Sequence, residues 1–236
     1  MCGRFVMISG LEETVQRFNI ARVSSSLSKS YNKAPGSAVA AAIQDDDGNR
    51  SLVDLYWGIP LFGTGTRGTV QTLINARSET VHRKPTFREA FKRRRCVVIA
   101  DGYYEWQRRG GRRIPWYIPV AAPHPSGFAA LYRRPSDGGT LPACVIVTTA
   151  ANDLILPIHD RMPVILSGDQ IDLWLEPSST EPALLTLMAP RSPEGMDAWE
   201  VSTLVNSPAH DGPECIEPVK CPWAGRNGNT QLGKED

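Results

Sequence analysis

Cys96-Val97-Val98-Ile99-Ala100-Asp101-Gly102-Tyr103-Tyr104-Glu105-Trp106-Gln107 decides the fold class of this 236-residue chain. Its first five residues are an unbroken apolar run, short for a helix and the right length for a buried strand. Asp101-Gly102 reads as a turn into a second strand, Tyr103 to Gln107, and the basic glycine turn from Arg108 to Arg113 leads to a third, Ile114 to Val120. Phe128 to Tyr132 and Cys144 to Thr149 continue the series. Upstream, Val39 to Ile43 and Ser51 to Trp57 are strands joined by the acidic turn Asp45-Asp46-Asp47-Gly48-Asn49. Met162 to Leu166 and Trp199 to Val205 supply two more, downstream. Helix signals are fewer. Ser9 with Glu12, and Thr86 with Glu89, have the spacing of capping boxes. Leu11, Val15 and Phe18 then share one helical face, and Phe87, Ala90 and Phe91 turn inward on the next; Gly168 to Leu175 and Pro182 to Met188 read as further helices. Hairpin runs of strands with a few peripheral helices make an α+β fold with mainly antiparallel pairing, not a chain of βαβ units.

The length favours one domain, placed over residues 1–221, and the Gly- and Asn-rich stretch 222–236 reads as a frayed polar tail. No internal repeat is visible. Apolar runs fall short of the roughly 18 residues of a membrane span, and MCGRFVMISG lacks the pattern of a secretory signal, so a cytoplasmic location is expected. Five cysteines at irregular spacings argue against a disulfide framework, and Cys96, Cys144, Cys215 and Cys221 offer no zinc-type pair. The net charge of +1 conceals a segregation: residues 77–134 hold 14 Lys and Arg against 4 acids, and the remainder holds 12 against 21. Such a distribution points to a positive face for an anionic partner, or to a solvated basic surface.

Cys2 is the residue with the most unusual chemistry available. Once Met1 is removed it presents an α-amine beside a thiol. The amine forms a Schiff base with an aldehyde, and the thiol then closes a five-membered thiazolidine; the thiol alone could instead act as a nucleophile with the amine as base. An incidental residue at a frayed end is the plain alternative. Other polar groups keep it company: Asn75, Arg77 and Glu79 alternate in Leu73-Ile74-Asn75-Ala76-Arg77-Ser78-Glu79-Thr80. Glu105 sits among aromatics, where desolvation raises a carboxyl pKa towards acid/base use. His159 stands at the edge of a strand in Ile158-His159-Asp160-Arg161-Met162-Pro163. Taken singly, Asn75 reads as a turn-stabilising hydrogen bonder, Glu105 as an ion-pair partner and His159 as a structural histidine.

In order along the chain, MCGRF, YNKAPG, YWG, LINARSET, ADGYYEW, VTTAAN and IHDRMPVIL resemble the SOS-response-associated peptidase (SRAP) family of abasic-site-processing proteins. The resemblance implies an α+β fold whose antiparallel sheets form a barrel-like core. It implies Cys2 as the nucleophile capturing the ring-opened aldehyde of an abasic site in single-stranded DNA. Asn75 would orient the Cys2 terminus, Glu105 would be the general acid/base, and His159 the second proton-transfer residue. The DNA contacts it implies are Arg4, Asn32, Pro35, Phe62, Arg77, Thr149 and Arg161, with Arg4 and Arg77 on phosphates. It further implies autoproteolytic removal of Met1, a monomer, no cofactor and no membrane partner. One departure stands out: the segment 59–68 lacks the Trp that the family usually wedges between bases, which leaves either Phe62 as the wedge or a mobile loop with a weaker grip on DNA. Basic residues interleaved with Tyr103, Tyr104, Trp106, Trp116 and Tyr117 fit a single-strand groove. Two alternatives remain at this stage. Met-Cys-Gly also begins N-terminal-nucleophile glutamine amidotransferases, although Arg67-Gly68-Thr69 is the nearest approach to their further motifs. A non-catalytic single-strand-binding module would share the basic face.

Overall fold

The computed structural model describes residues 2–61, 71–120, 126–134 and 141–219; Phe62 and the expected tail lie outside them. Five strands close into a ring. Ala143–Ala150 pairs antiparallel with Ser126–Arg133, which pairs with Arg95–Ala100, then Ala38–Gln44, then Arg50–Trp57. The circuit closes where Arg50–Trp57 meets Ala143–Ala150 in parallel, Tyr56 opposite Ala143 and Trp57 opposite Cys144. A barrel with mainly antiparallel pairing is therefore present, as expected. Closure removes the open edges that a flat sheet would expose.

A second sheet lies against this barrel in the order Trp199–Glu200, Arg112–Pro119, Gly102–Arg109, Phe5–Met7, Ser30–Lys33. Its aromatic side chains lock the two layers together. Phe5 packs on Trp57 at 5.1 Å and on Phe128 at 5.8 Å between ring centroids, and Tyr103 meets Phe128 edge-on at 6.0 Å. Tilted and edge-on rings at these separations add to the area they bury. Every residue of Arg95–Ala100 is buried because one face lines the barrel and the other is covered, by the helices Arg88–Arg93 and Asp169–Leu175 and the strand Phe5–Met7. Among the described residues no helix is long and apolar enough to cross a membrane.

Several expectations are corrected. Asp101-Gly102 is not a hairpin turn: Arg95–Ala100 belongs to the barrel and Gly102–Arg109 to the second sheet, so Asp101 is the corner where the chain changes sheets. Gly102 is required there, since a Cβ would lie 2.3 Å from the Tyr117 hydroxyl and inside contact of its ring. Neither capping box forms. Gly10 and Phe87 occupy the N-cap positions without side-chain bonds, and Ser9 turns to Asp101 instead, where a buried carboxylate is a stronger acceptor than a helix end is a donor. Leu11 is exposed, so the buried face of Leu11–Phe18 is carried by Thr14 and Phe18. YNKAPG, a turn signature by its residues, is strand from Tyr31 to Lys33 and turns only at Pro35-Gly36. The strand expected from Trp199 stops at Glu200 and gives way to a 3-10 turn, Thr203–Asn206.

Asp101 accepts from the backbone N–H of Ile8 at 2.6 Å and of Ser9 at 2.9 Å, and from the Ser9 hydroxyl. Removing it strands buried donors, and hydrogen bonds to a charged group are worth about 1.5–3 kcal/mol each. Asp101→Ala is expected to lower unfolding free energy by about 2–4 kcal/mol in a urea titration; a change under about 0.5 kcal/mol, the level of an ordinary surface substitution, would show that the corner needs no clamp.

Candidate active site

The N-terminal strand places the site. Phe5 lies opposite Tyr103 and Val6 opposite Gly102, and the Tyr104 N–H donates to the Arg4 carbonyl at 3.0 Å. Continued towards the chain start, this antiparallel register brings Gly3 level with Glu105. Both line an open cleft of about 500 Å³ together with Arg4, Trp106, Arg113, His159 and Asn206. Cys2 is fully buried beside it, its thiol 3.9 Å from the Arg4 carbonyl. From the other side, Asn75 Nδ2 donates to the Cys2 carbonyl at 2.9 Å. Asn75 opens a three-residue strand, Asn75–Arg77, that runs parallel to Ala143–Ala150 with Asn75 opposite Ile146. A strand from the barrel and a strand from the second sheet thus hold one backbone carbonyl in place.

Two proton carriers face each other across this end of the cleft. Glu105 is 2% exposed, and burial pushes its carboxyl up to about 7 from an ordinary 4.5. His159 Nε2 stands 3.9 Å from Glu105 Oε2. The Arg161 N–H donates to His159 Nδ1 at 3.0 Å, which in the neutral ring leaves the proton on Nε2, the nitrogen turned towards Glu105. Burial lowers the imidazole pKa, while the exposed Asp160 carboxylate, 2.9 Å from Nδ1, works in the opposite sense. Near neutrality the carboxyl is therefore part protonated beside a mainly uncharged imidazole, an arrangement that can both give and take a proton. Burial also raises the Cys2 thiol pKa, with Glu105 adding to the rise, so the sulfur is held as a neutral thiol. Among the described residues no three His, Cys, Asp or Glu side chains gather where a metal ion could be held.

The model of the family "SOS response associated peptidase (SRAP)" matches residues 1–208. The chain belongs to the SRAP family. That membership answers the question left open by the Met-Cys-Gly start. "Abasic site processing protein YoqW" of Bacillus subtilis is 38% identical over 223 residues, covering 92% of this chain and 99% of its own. "Abasic site processing protein HMCES" of Gallus gallus is 33% identical over 224 residues, covering 81% of this chain and 66% of its own. A crystal structure of a protein from Bacteroides thetaiotaomicron superposes with a TM-score of 0.77 at 26% identity, covering 93% of this chain and 100% of that one.

The remaining residues expected at the site of this SRAP protein fall into three groups. Arg77 is exposed and adjoins the site, paired with Thr148. Thr149 is 4% exposed, and Pro35 lies on an exposed turn away from the cleft lining. Arg4, Asn32 and Arg161 are engaged internally. Arg4 donates to Asn32 Oδ1 at 2.9 Å and to the Val205 and Asn206 carbonyls at 2.8 and 3.2 Å. Asn32 is buried and donates to the carbonyls of Val205, Ser207 and His210, so it anchors the C-terminal segment and presents no free face to DNA. Arg161 forms a two-pronged pair with Glu79 and donates to the Thr148 carbonyl. Glu79 itself has left the expected strand alternation, because Ser78–Val81 is helical.

Sequence reasoning missed Asn206 and Tyr103. Asn206 comes from the 3-10 turn and accepts from Trp106 Nε1 at 2.7 Å, a contact across 100 residues with no local signal. Tyr103, two residues from Glu105 on the same face, is fully buried with its hydroxyl lacking a hydrogen-bond partner among the described residues. The groove expected of the aromatics is corrected here: Tyr103, Tyr104 and Tyr117 are buried in the core, because alternate positions of these strands face inward.

The raised Glu105 pKa fixes a pH dependence. The native state holds this proton up to about pH 7, whereas the unfolded chain releases it near 4.5. Stability from the neutral carboxyl is thus complete below about 4.5 and is lost as pH rises through about 7. Glu105→Gln does not titrate, so its advantage over the parent should grow by about 3 kcal/mol across that interval in urea unfolding series. A difference that stays flat with pH would place the carboxylate in a solvated setting.

Proposed function

We propose that the protein processes abasic sites in single-stranded DNA, acting as a monomer, by covalent capture of the lesion at Cys2. The observation that carries this reading is the Asn75 hydrogen bond to the Cys2 carbonyl, which fixes the chain start beside a buried Glu105 and its His159 neighbour. The names of the relatives support the lesion; the geometry supports the chemistry. Removal of Met1 hydrolyses one peptide bond, consumes one water and leaves the α-amine of Cys2, and in this reading the protein performs that cleavage itself.

The order of steps follows from the state of the sulfur. A thiol held neutral by burial is a poor first nucleophile, so the amine attacks the C1′ aldehyde of the ring-opened sugar. The resulting carbinolamine loses water to an imine, and a protonated Glu105 supplies the proton that makes hydroxide leave as water. The Cys2 sulfur then adds to the imine carbon. Its proton passes by way of the Glu105 carboxylate to the nitrogen, closing a thiazolidine with one water released overall. His159 Nε2–H is placed to return or relay the proton. Asn75 acts on the Cys2 main chain and is a positioning residue. Arg77, Pro35 and Thr149 are assigned to the path of the DNA outside the cleft lining, and the exposed Arg113 adds a guanidinium to that lining.

Incubation with single-stranded DNA bearing one abasic site should give a species that survives a denaturing gel and shows, by intact mass, loss of Met1 and addition of the oligonucleotide less one water. Cys2→Ala should give none, and Cys96→Ala and Cys215→Ala should match the parent. Glu105→Gln should slow formation on the order of 100-fold, the scale of a lost general acid/base, with DNA affinity unchanged. An undiminished adduct from Cys2→Ala would end the proposal, and purely salt-reversible binding would leave a non-catalytic single-strand binder in its place.

A further inference from the structure

The arginines nearest the cleft do not account for the basic stretch. Arg4 and Arg161 are committed to internal partners. Much of the positive charge lies elsewhere, on Arg83 and Lys84, on Arg88–Arg93 and at the end of Ser126–Arg133. Two adjoining clefts open there, about 770 and 350 Å³, sharing Arg94 and Arg134 in their linings. Lys92 and Arg93 line the larger and Arg133 the smaller. The acids close by are mostly engaged: Glu89 pairs with Arg93 at 3.1 Å, and Asp45 accepts from its own turn at Asn49 and stands 3.9 Å from Arg22. Asp46 lines the larger cleft with Lys92, Arg94 and Arg134, none of which forms an ion pair among the described residues, and Arg133 at the smaller cleft donates to the Thr86 carbonyl at 3.1 Å. The Arg94 Nε–H is buried in the lining and has no hydrogen-bond acceptor among the described residues. Gathering like charges around open clefts costs energy, and an unpaired buried donor costs more. An anion supplied from outside relieves both.

The register places this face relative to the site. Arg77 lies opposite Thr148, and Arg133 lies opposite Ala143 on the same strand. Five strand residues at about 3.3 Å each separate them by roughly 17 Å, the span of about five phosphates of one strand at duplex spacing. Exposed Arg83, Lys84 and Arg88 lie on the chain segment that bridges the two ends. A single phosphate would need one compact nest of donors; a row of clefts and side chains fits a repeating polyanion.

We infer that Lys92, Arg93, Arg94, Arg133 and Arg134 form a second DNA-backbone contact, which holds the strand after it leaves the Cys2 cleft and lengthens the footprint beyond the lesion. This rests on the DNA reading above but not on its covalent step. The test therefore uses DNA without an abasic site: single strands of about 8 and about 24 nucleotides, bracketing the ~4–16-nucleotide footprints of single-strand grooves. Binding of the parent and of the triple variant Lys92→Ala, Arg93→Ala, Arg134→Ala is measured against salt. All three side chains are exposed, and a thermal melt checks that the variant folds. For the long strand the variant should bind about tenfold or more weakly, with the log–log salt slope shallower by about 2, at ~0.7 per lost single-strand phosphate contact. The short strand should be unaffected. Equal weakening of both lengths, or of neither, overturns the inference while leaving capture at Cys2 intact. A parent protein that binds neither length overturns it together with the DNA reading.

Discussion

A nucleophile at a chain start works only if that start is immobile, and chain termini ordinarily fray. Here Phe5–Met7 is an interior strand of a five-stranded sheet, bonded on one side to Gly102–Arg109 and on the other to Ser30–Lys33. Asp101 takes the next two backbone N–H groups as the strand ends. The same corner sends Glu105 along the neighbouring strand in register with Gly3. One carboxylate at a change of sheet therefore fixes the terminus and sets its distance from Glu105.

The site divides its polar groups between holding and reacting. Arg4, Asn32 and Arg161 are typical phosphate-contact types, yet each is spent on carbonyls or on Glu79. Arg4 and Asn32 tie the C-terminal 3-10 turn to the first strand, which is how Asn206 and Trp106 come to wall the cleft. Glu105 and His159 stand 3.9 Å apart near the buried Cys2. Burial raises the carboxyl to about 7 and lowers the imidazole, so near neutrality a part-protonated carboxyl stands beside a mainly uncharged imidazole.

Much of this was legible in residue order. The apolar run before Asp101 and the period-2 stretches after it marked the strands correctly, because burial on one or two faces leaves a local imprint. Glu105 was legible for the same reason: a lone carboxyl among aromatics must be desolvated if those aromatics pack. The failures were at the ends of elements. Ser9 and Thr86 had the spacing of helix caps, but Ser9 donates its hydroxyl and its N–H to Asp101, 92 residues away, and that contact takes it out of the cap position. Asp101-Gly102 looked like a hairpin because a turn between two strands and a crossing between two sheets use the same small, polar residues.

The residues alone determined the α+β class, the chemistry available to an amine and a thiol on adjacent carbons, and the uneven placement of charge, since each is a property of side-chain type and spacing. Only the tertiary structure decided that the barrel closes through a parallel contact between Tyr56-Trp57 and Ala143-Cys144, that Asn75 reaches the Cys2 carbonyl, and that three expected DNA contacts are internal struts. Several of these pairings join segments some 70 to 200 residues apart along the chain. Which partner such groups choose depends on the competition for every buried donor and acceptor at once, and no stretch of sequence contains its own competitors.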